Sequence, residues 1–264
     1  MSALLVRAMA PLDAPAFMAL HGRCDEAQVR DLQAASRRAF ACATPTAEMR
    51  VFVLLRGDAL LGAAGLIAST GLELPRYSFR SGQVVHASAE MGMFKRAGTL
   101  VLGNDLTGAA ELRLPLLAEN APPEALALLL QAQLNEVLTQ PQRFAETLIC
   151  ELPGQGDGNG NGGQDSPFWQ GLGRHFYSGQ LPPDDAFFPP ALRSHIGRLL
   201  PKHPLYSSFL PEAAQASLGQ ANGSCTTLAA LLHQAGLRAR GQLGIVDGGP
   251  VLEAAVDELR PLMP

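Results

Sequence analysis

A pair of apolar runs joined by a tight turn constrains the fold of this chain more than any other feature of its sequence. The segment MRVFVLLRGDALLGAAGLIAS (49–69) divides at Gly57-Asp58, a dipeptide that supplies the turn chemistry of an antiparallel hairpin. Upstream, residues 3–9 predict a short strand, and residues 11–21 and 25–41 predict two helices. A strand, two helices and a hairpin, in that order, predict an α/β (α+β) fold with a mixed sheet flanked by helices.

The stretch VVHASAEMGMFKRAGTLVLGNDLTGAAEL (84–112) contains the candidate polar site. One apolar run ends in His86, a second ends in the turn Asn104-Asp105, and Glu111 lies in an otherwise apolar setting. Strand backbones hold side chains still while the loops after them stay accessible, so polar groups at adjacent strand ends often form sites. The same pattern also fits two sheet strands whose His and Asp side chains only cap turns, and the sequence leaves both interpretations open.

The remaining periodic segments predict a second half of short helices with few strands. A leucine stripe predicts a helix over 124–138, and the later elements are a strand over 147–152, helices near 191–200, 212–218 and 226–235, and a strand and turn over 237–250. The low-complexity PGQGDGNGNGGQ (153–164) is too long and loose for a phosphate-binding glycine loop. We therefore predict an N-terminal half (1–152), a flexible glycine-rich segment (153–165) and a C-terminal half (166–264).

The charge and cysteine patterns exclude several classes of protein. The formal net charge is -4, and the 20 Lys and Arg residues are spread along the chain without forming a basic stripe, which argues against a nucleic-acid partner. No window approaches 18 uninterrupted apolar residues and the N-terminus lacks a secretory pattern, so we expect a cytoplasmic protein without membrane contact. The four cysteines lack a C-x-x-C pair, which predicts neither a metal site nor a disulfide framework.

Seven segments, in this order, resemble the arginine N-succinyltransferase family: VVHAS (84–88), NDLTG (104–108), EL (111–112), SPFWQGLGRHF (166–176), LLPKHPLY (199–206), LPEAAQASLGQ (210–220) and DGGP (247–250). The resemblance implies an acyl-CoA N-acyltransferase (GNAT)-like fold of two related halves. It implies transfer of a succinyl group from succinyl-CoA, as co-substrate, to the α-amino group of L-arginine in arginine catabolism, with no tightly bound cofactor. It also implies a homo- or hetero-oligomer with a related chain.

The resemblance also supplies candidate site residues. The family's LGQ motif is followed by Val-His-Pro, whose His is taken as the proton donor, and this chain has Asn222 at that position. Because Asn cannot titrate near neutral pH, Glu111 and His86 join Asn222 as catalytic candidates. The candidate substrate-binding residues lie in the second matched segment and are Asn104, Asp105 and Thr107. The Asp105 carboxylate suits a guanidinium group. The alternative is that these residues only form an Asx-type turn.

The segment suited to CoA pyrophosphate departs from the family pattern. Where the family has an Arg and a Gly-Asn-Gly turn, this chain has AENAPPE (118–124), with two prolines and two glutamates and no glycine. The CoA-binding residues are therefore unknown from the sequence. One alternative is a non-catalytic partner or regulatory subunit of an active relative, and another is an acyltransferase for a different amine, with a groove between the strand before Ala118 and the strand near Thr147.

Overall fold

The strands form one large, mostly antiparallel sheet with helices on both faces. The computed structural model describes residues 3–156, 163–183, 185–188 and 191–262. Its strands are β1 (Leu4–Ala8), β2 (Met49–Arg56), β3 (Ala59–Ile67), β4 (Ser78–Ser88), β5 (Met93–Gly103), β6 (Ala110–Leu112), β7 (Leu116–Leu117), β8 (Thr147–Glu151), β9 (Leu205–Tyr206), β10 (Arg238–Leu243) and β11 (Pro250–Ala255). Its α-helices are α1 (Ala14–His21), α2 (Glu26–Ala41), α3 (Ala125–Thr139), α4 (Pro167–Gly171), α5 (Leu192–Leu199), α6 (Glu212–Ser217) and α7 (Thr226–Gln234).

The strand order across the sheet is β1-β2-β3-β6-β8-β11-β10-β4-β5-β9, and β7 pairs with β3 beside this path. The mixed α/β fold predicted from the sequence is confirmed. The predicted hairpin is β2 and β3, which pair antiparallel from Met49↔Ile67 to Arg56↔Ala59. Gly57 takes the left-handed conformation (φ 61°) that the tight turn requires.

Helices cover both faces of the sheet at β2, because the side chains of this strand are apolar on both faces. Phe52 and Leu54 of β2 pack in a cluster with residues of α3 and α7. Val51 and Val53, which point to the opposite face, pack with residues of α1 and α2. This explains why residues 51–55 of β2 form a continuous apolar run instead of an alternating one. α2 begins where predicted because the Asp25 side chain accepts the Gln28 N–H at 2.8 Å as an N-cap.

The segment 84–112 is divided between two parts of the sheet. β4 and β5 pair with each other from Ser78↔Gly103 to Ser88↔Met93, and their other neighbours are β10 and β9. β6, which contains Glu111, lies between β3 and β8. The polar strand ends that are close in the sequence are therefore not neighbours in the sheet.

The sheet opens between β6 and β8. These strands are parallel and pair only at Ala110↔Leu148 and Glu111↔Ile149. Beyond Glu111 the chain follows β3, through a 2.8 Å hydrogen bond from the Arg113 N–H to the Gly65 carbonyl and through the β7–β3 pairing. β8 instead continues along β11. A gap therefore separates residues 112–117 from the end of β8.

Strands from both predicted halves lie in this one sheet, since β11 and β10 separate β8 from β4. The division at 153–165 stays a prediction, and residues 157–162 within that glycine-rich segment lie outside the described residues. In the described part of the chain, no helix combines the length and the apolar character that crossing a membrane requires.

Candidate active site

Two carboxylates are buried at the ends of the parallel strands. Glu111 lies in β6 and exposes 2% of its surface, and Glu151 ends β8 with 12% of its side chain exposed. Both follow apolar residues that belong to the core. Removing two carboxylates from water is costly unless positive groups compensate them, so the partners of these glutamates define the site.

Three arginines surround the two glutamates. Arg113 places Nη1 3.1 Å from Glu111 Oε1. Arg76, which precedes β4, contacts both carboxylates: its Nη2 donates to Glu151 Oε2 and lies 3.5 Å from Glu111 Oε1. Arg193, in α5, donates from Nη2 to Glu151 Oε1 at 3.0 Å. The network therefore joins β6, β8, α5 and the segment before β4.

The arginines keep both carboxyl groups ionised. Burial alone would raise the pKa of Glu111, but the guanidinium groups of Arg113 and Arg76 outweigh burial and lower it. At Glu151 burial is likewise outweighed, by Arg76 and Arg193, and the pKa falls to about 2. Burial lowers the pKa of Arg76, but the two carboxylates overcome this and raise it above its usual value. The cluster is thus a set of fixed charges at neutral pH, and neither glutamate is a strong base.

Two cavities open on this cluster, and Glu111, Arg113 and Arg193 line both of them. The first, of about 290 Å³, extends along residues 70–77 to the start of α5. The second, of about 270 Å³, lies in the gap between the separated strands, with residues 112–116 and the end of β8 among its lining. We call the second one the strand-gap cavity.

A His–Asp pair and a turn aspartate complete the strand-gap cavity. His21, the last residue of α1, has Nε2 2.9 Å from Asp185 Oδ2, and both residues line the cavity. Asp247, in the turn between β10 and β11, accepts two main-chain N–H groups at 2.8 and 2.9 Å. Burial and the nearby Glu151 raise the pKa of Asp247. The described residues contain no group of three or more His, Cys, Asp or Glu that could hold a metal ion.

Among the residues predicted from 84–112, Glu111 lies in the site. Thr107 supports it, because its Oγ1 accepts the Arg76 main-chain N–H at 2.9 Å and so positions that arginine. Asp105 forms a surface ion pair with Arg80 at 2.8 Å. Asp105 lines neither cavity, and its predicted role in substrate binding stays a prediction.

Asn104 and His86 lie outside both cavities. Asn104 is exposed and its carbonyl accepts the Thr107 N–H at 2.9 Å, which is a turn. His86 faces Lys95 across the β4–β5 pair, and its ring lies 5.8 Å from the Tyr206 ring. The structure therefore separates these two residues from Glu111, and their functional roles stay predictions.

Asn222 lies beside the strand-gap cavity, but its side chain has a local role. Its main-chain N–H donates to the carbonyl of Pro153 at 2.8 Å, and Pro153 lines the cavity. Its Oδ1 accepts the Ser224 N–H at 3.0 Å and caps the short 3₁₀ turn before α7. The residue that the resemblance places at the family's histidine is therefore close to the cavity, and its side chain caps a turn.

The N-terminus of α3 has few groups that could bind an anion. Pro122 and Pro123 precede the helix and have no N–H to donate. Glu119 and Glu124 are exposed at the same end, and their charge opposes that of an anion. This end of α3 is therefore poorly suited to hold a pyrophosphate group.

Sequence reasoning missed the arginines, Glu151 and the His–Asp pair. A charge at the end of the apolar run TLICE was a signal for Glu151, and Arg113 follows Glu111 at the two-residue spacing of one strand face. Arg76 and Asp185 had no such signal, because Arg76 is 75 residues from Glu151 and Asp185 is 164 residues from its partner histidine.

Known proteins are similar to this chain over most of its length. A family model described as arginine N-succinyltransferase beta subunit matches residues 4–261. The arginine N-succinyltransferase of Yersinia enterocolitica (serotype O:8 / biotype 1B) is 36% identical over 204 residues, which are 77% of this chain and 58% of that protein. That of Enterobacter sp. (strain 638) is 34% identical over 215 residues, which are 80% of this chain and 61% of that protein. The chain thus spans less than two thirds of the length of these relatives.

A solved structure agrees with these relatives. The arginine/ornithine succinyltransferase subunit AI from Pseudomonas aeruginosa superposes with a TM-score of 0.79 and 27% identity, covering 99% of this chain and 79% of that one. The predicted GNAT-like fold is thereby confirmed. Because the family model covers nearly the whole chain and the relatives agree with it, the chain belongs to the arginine N-succinyltransferase family.

Proposed function

We propose that this chain transfers the succinyl group of succinyl-CoA to the α-amino group of L-arginine. Relatives at 34 and 36% identity are arginine N-succinyltransferases. The observation that carries the proposal is the strand-gap cavity beside the Glu111–Arg113 pair. Succinyl-CoA is a co-substrate in this reaction, and no tightly bound cofactor takes part.

The gap between the strands suits the extended arm of an acyl-CoA. β6 and β8 stop pairing after Glu111 and Ile149, so the strand edges separate on the two sides of the cavity. A pantetheine arm is an extended chain with amide groups, and hydrogen bonds from a strand edge are a common way to bind such a chain. The thioester at the end of this arm then meets the charged cluster.

The charges that line the cavity suit an amino acid with a cationic side chain. Glu111, Glu151 and Asp185 line it together with Arg113 and Arg193. Guanidinium groups bind carboxylates through paired hydrogen bonds, so a substrate guanidinium finds acceptors and a substrate carboxylate finds donors in one cavity. Since the pKa of Glu111 is lowered, we assign Glu111 to charge recognition and not to proton transfer.

A second candidate function is that of a non-catalytic partner or regulatory subunit of an active relative. Asn222 favours it, because its side-chain oxygen acts as a cap and cannot titrate. The N-terminus of α3, with its prolines and glutamates, favours it as well. The solved relative is itself described as a subunit. Such a chain would form a homo- or hetero-oligomer with a related chain.

Thiol release from succinyl-CoA tests the proposal, with L-arginine and L-ornithine as acceptors and the product identified by mass spectrometry. We expect release that depends on arginine and a product that carries one added succinyl group. Glu111→Gln should lower kcat/KM by about tenfold or more, because it leaves the Arg113 guanidinium uncompensated in a buried site. Glu258→Gln, which removes an exposed ion pair with Arg240, is the matched control and should retain wild-type kinetics.

Two results distinguish the candidate functions. No release with either acceptor, together with no CoA binding by calorimetry, would reject the transferase and support the partner subunit. Release that requires a different amine would retain acyl transfer and reject arginine as the acceptor.

A further inference from the structure

The His21 ring is held in one orientation at the end of α1. Gly22 ends the helix in the left-handed conformation (φ 71°). The imidazole stacks on Phe17 with ring centroids 5.9 Å apart, and Phe188 and Phe187 contact it edge-on at 5.3 and 6.3 Å. Only 4% of the His21 side chain is exposed. Packing on three sides leaves the ring little freedom to rotate.

Asp185 fixes the protonation of one ring nitrogen. Its Oδ2 and Oδ1 lie 2.9 and 3.2 Å from His21 Nε2. Oδ1 also accepts the main-chain N–H groups of Phe187 and Phe188, both at 2.9 Å. Burial would raise the pKa of Asp185, but these hydrogen bonds and His21 outweigh it and lower the pKa. An ionised carboxylate accepts a hydrogen bond from Nε2–H, so the neutral imidazole keeps its lone pair on Nδ1.

The other ring nitrogen of His21, Nδ1, is left without a partner in the described part of the chain, beside the strand-gap cavity. It is buried and has no hydrogen-bond partner among the described residues. His21, Asp185 and Glu111 all line this cavity. Arg113 ties the pair to the charged cluster, because it donates to the Asp185 and Ala186 carbonyls at 3.1 and 3.0 Å and to the Glu111 carboxylate at 3.1 Å.

We propose that His21 is the general base of the reaction: its Nδ1 accepts a proton from the α-ammonium group of the acceptor amino acid. The proposal rests on the function proposed above. The freed amine attacks the thioester carbonyl carbon, a C–N bond forms and the C–S bond breaks. The second proton of the attacking nitrogen passes to the departing thiolate, and the imidazolium returns its proton to solvent. The products are one amide, one free thiol and one proton.

Charged groups from several elements surround this base. Asp185 contacts it directly, and Arg23 Nη2 lies 3.7 Å from Asp185 Oδ2. The other charged residues that line the same cavity are Glu111, Glu151, Asp247, Arg113 and Arg193. Four carboxylates thus oppose three guanidinium groups, so the imidazolium forms in surroundings that contain both signs of charge.

Steady-state kinetics of His21→Gln and Asp185→Asn between pH 5 and 9 test the proposal. We expect His21→Gln to lower kcat by about 10²- to 10⁴-fold with little change in the KM for L-arginine. It should also remove the limb of the pH profile along which kcat rises as the base loses its proton. Asp185→Asn should give a smaller loss of kcat and a displaced limb, because the base is retained without its carboxylate. His203→Gln, at an exposed histidine outside both cavities, is the control and should match the wild type.

Nitrogen-15 NMR spectra of the wild-type chain, labelled at histidine, provide a second test. This test requires neither turnover nor a correctly folded variant. We expect the neutral His21 ring to carry its proton on Nε2, and L-arginine to shift the Nδ1 resonance. A proton on Nδ1, or no response to L-arginine, would overturn the proposal. So would a His21→Gln enzyme with the wild-type pH profile. An inactive wild-type chain whose Nδ1 still responds to L-arginine would refute the proposed function and support an amine-binding role for His21.

Discussion

Glu151→Gln is expected to destabilise the fold by about 3 kcal/mol at pH 7. The carboxyl pKa falls from 4.5 to about 2 on folding. Each pKa unit corresponds to about 1.4 kcal/mol, so the ionised group contributes about 3 kcal/mol to the free energy of unfolding. The amide removes this charge, so Arg76 and Arg193 lose the carboxylate that they share.

The pH dependence of this effect has a defined sign. A carboxyl group whose folded pKa is lowered contributes fully above its unfolded pKa, here 4.5, and loses the contribution as the pH falls towards 2. The difference in unfolding free energy between wild type and Glu151→Gln should therefore be constant from about pH 8 to 6 and shrink by about 1 kcal/mol between about pH 5 and 3.5. Other carboxyl groups titrate in both proteins, so the difference isolates Glu151.

Urea unfolding followed by the fluorescence of Trp169 measures this difference. Trp169 is the chain's one tryptophan and is 2% exposed. Urea is uncharged and does not screen the ion pairs as guanidinium would. Glu258→Gln, at the exposed pair with Arg240, is the control and should cost less than about 1 kcal/mol. A loss below about 1 kcal/mol for Glu151→Gln, or a loss that does not change with pH, would show that the two arginines do not hold this carboxylate ionised.

Three further predictions concern the helices and their ends. Asp25→Ala should lower the free energy of unfolding by about 1 kcal/mol in urea titrations, because it removes the N-cap of α2. Leu134→Ala, at a fully buried residue of α3, should cost about 2 to 5 kcal/mol, whereas Leu12→Ala, at a 76% exposed side chain, should stay within about 0.5 kcal/mol. Glu119→Gln combined with Glu124→Gln should tighten CoA binding about 3- to 30-fold by calorimetry and leave the KM for L-arginine unchanged, because each removed charge opposes an anion at the helix end by about 0.3 to 1 kcal/mol. Unchanged CoA affinity would place the pyrophosphate elsewhere.

The local elements of the fold were predictable because short-range chemistry decides them. The turn at Gly57 and the cap at Asp25 lie within a few residues of the groups that they satisfy, so a sequence window contains the whole interaction. Glu111 was also predictable as a site residue, because a carboxylate in an apolar strand needs a compensating partner. The sequence does not state which partner.

The connections between strands explain why the segment 84–112 does not form one site. The sheet places three strands from later in the sequence, β8, β11 and β10, between β6 and β4. His86 and Glu111 are separated as a result. They are only 25 residues apart in the sequence, and a separation that short suggests neighbouring strands. Hydrophobic periodicity predicts that a segment is a strand, but it does not predict the position of that strand in the sheet. The position depends on pairings between segments that are distant in the sequence.

The cavity geometry also changes what the missing histidine implies. Asn222, which the resemblance places at the family's proton donor, donates its main-chain N–H to the carbonyl of Pro153, and Pro153 lines the strand-gap cavity. His21 lines the same cavity from α1 and has one buried ring nitrogen without a partner among the described residues. A group that moves a proton needs to reach the reacting nitrogen, and it does not need to come from one particular element. The absence of a histidine at position 222 therefore does not remove proton transfer from this cavity, because His21 is the base that we propose. On that reasoning, restoring a histidine with Asn222→His in the His21→Gln background should recover part of the lost kcat, and no recovery would show that position 222 does not reach the amine.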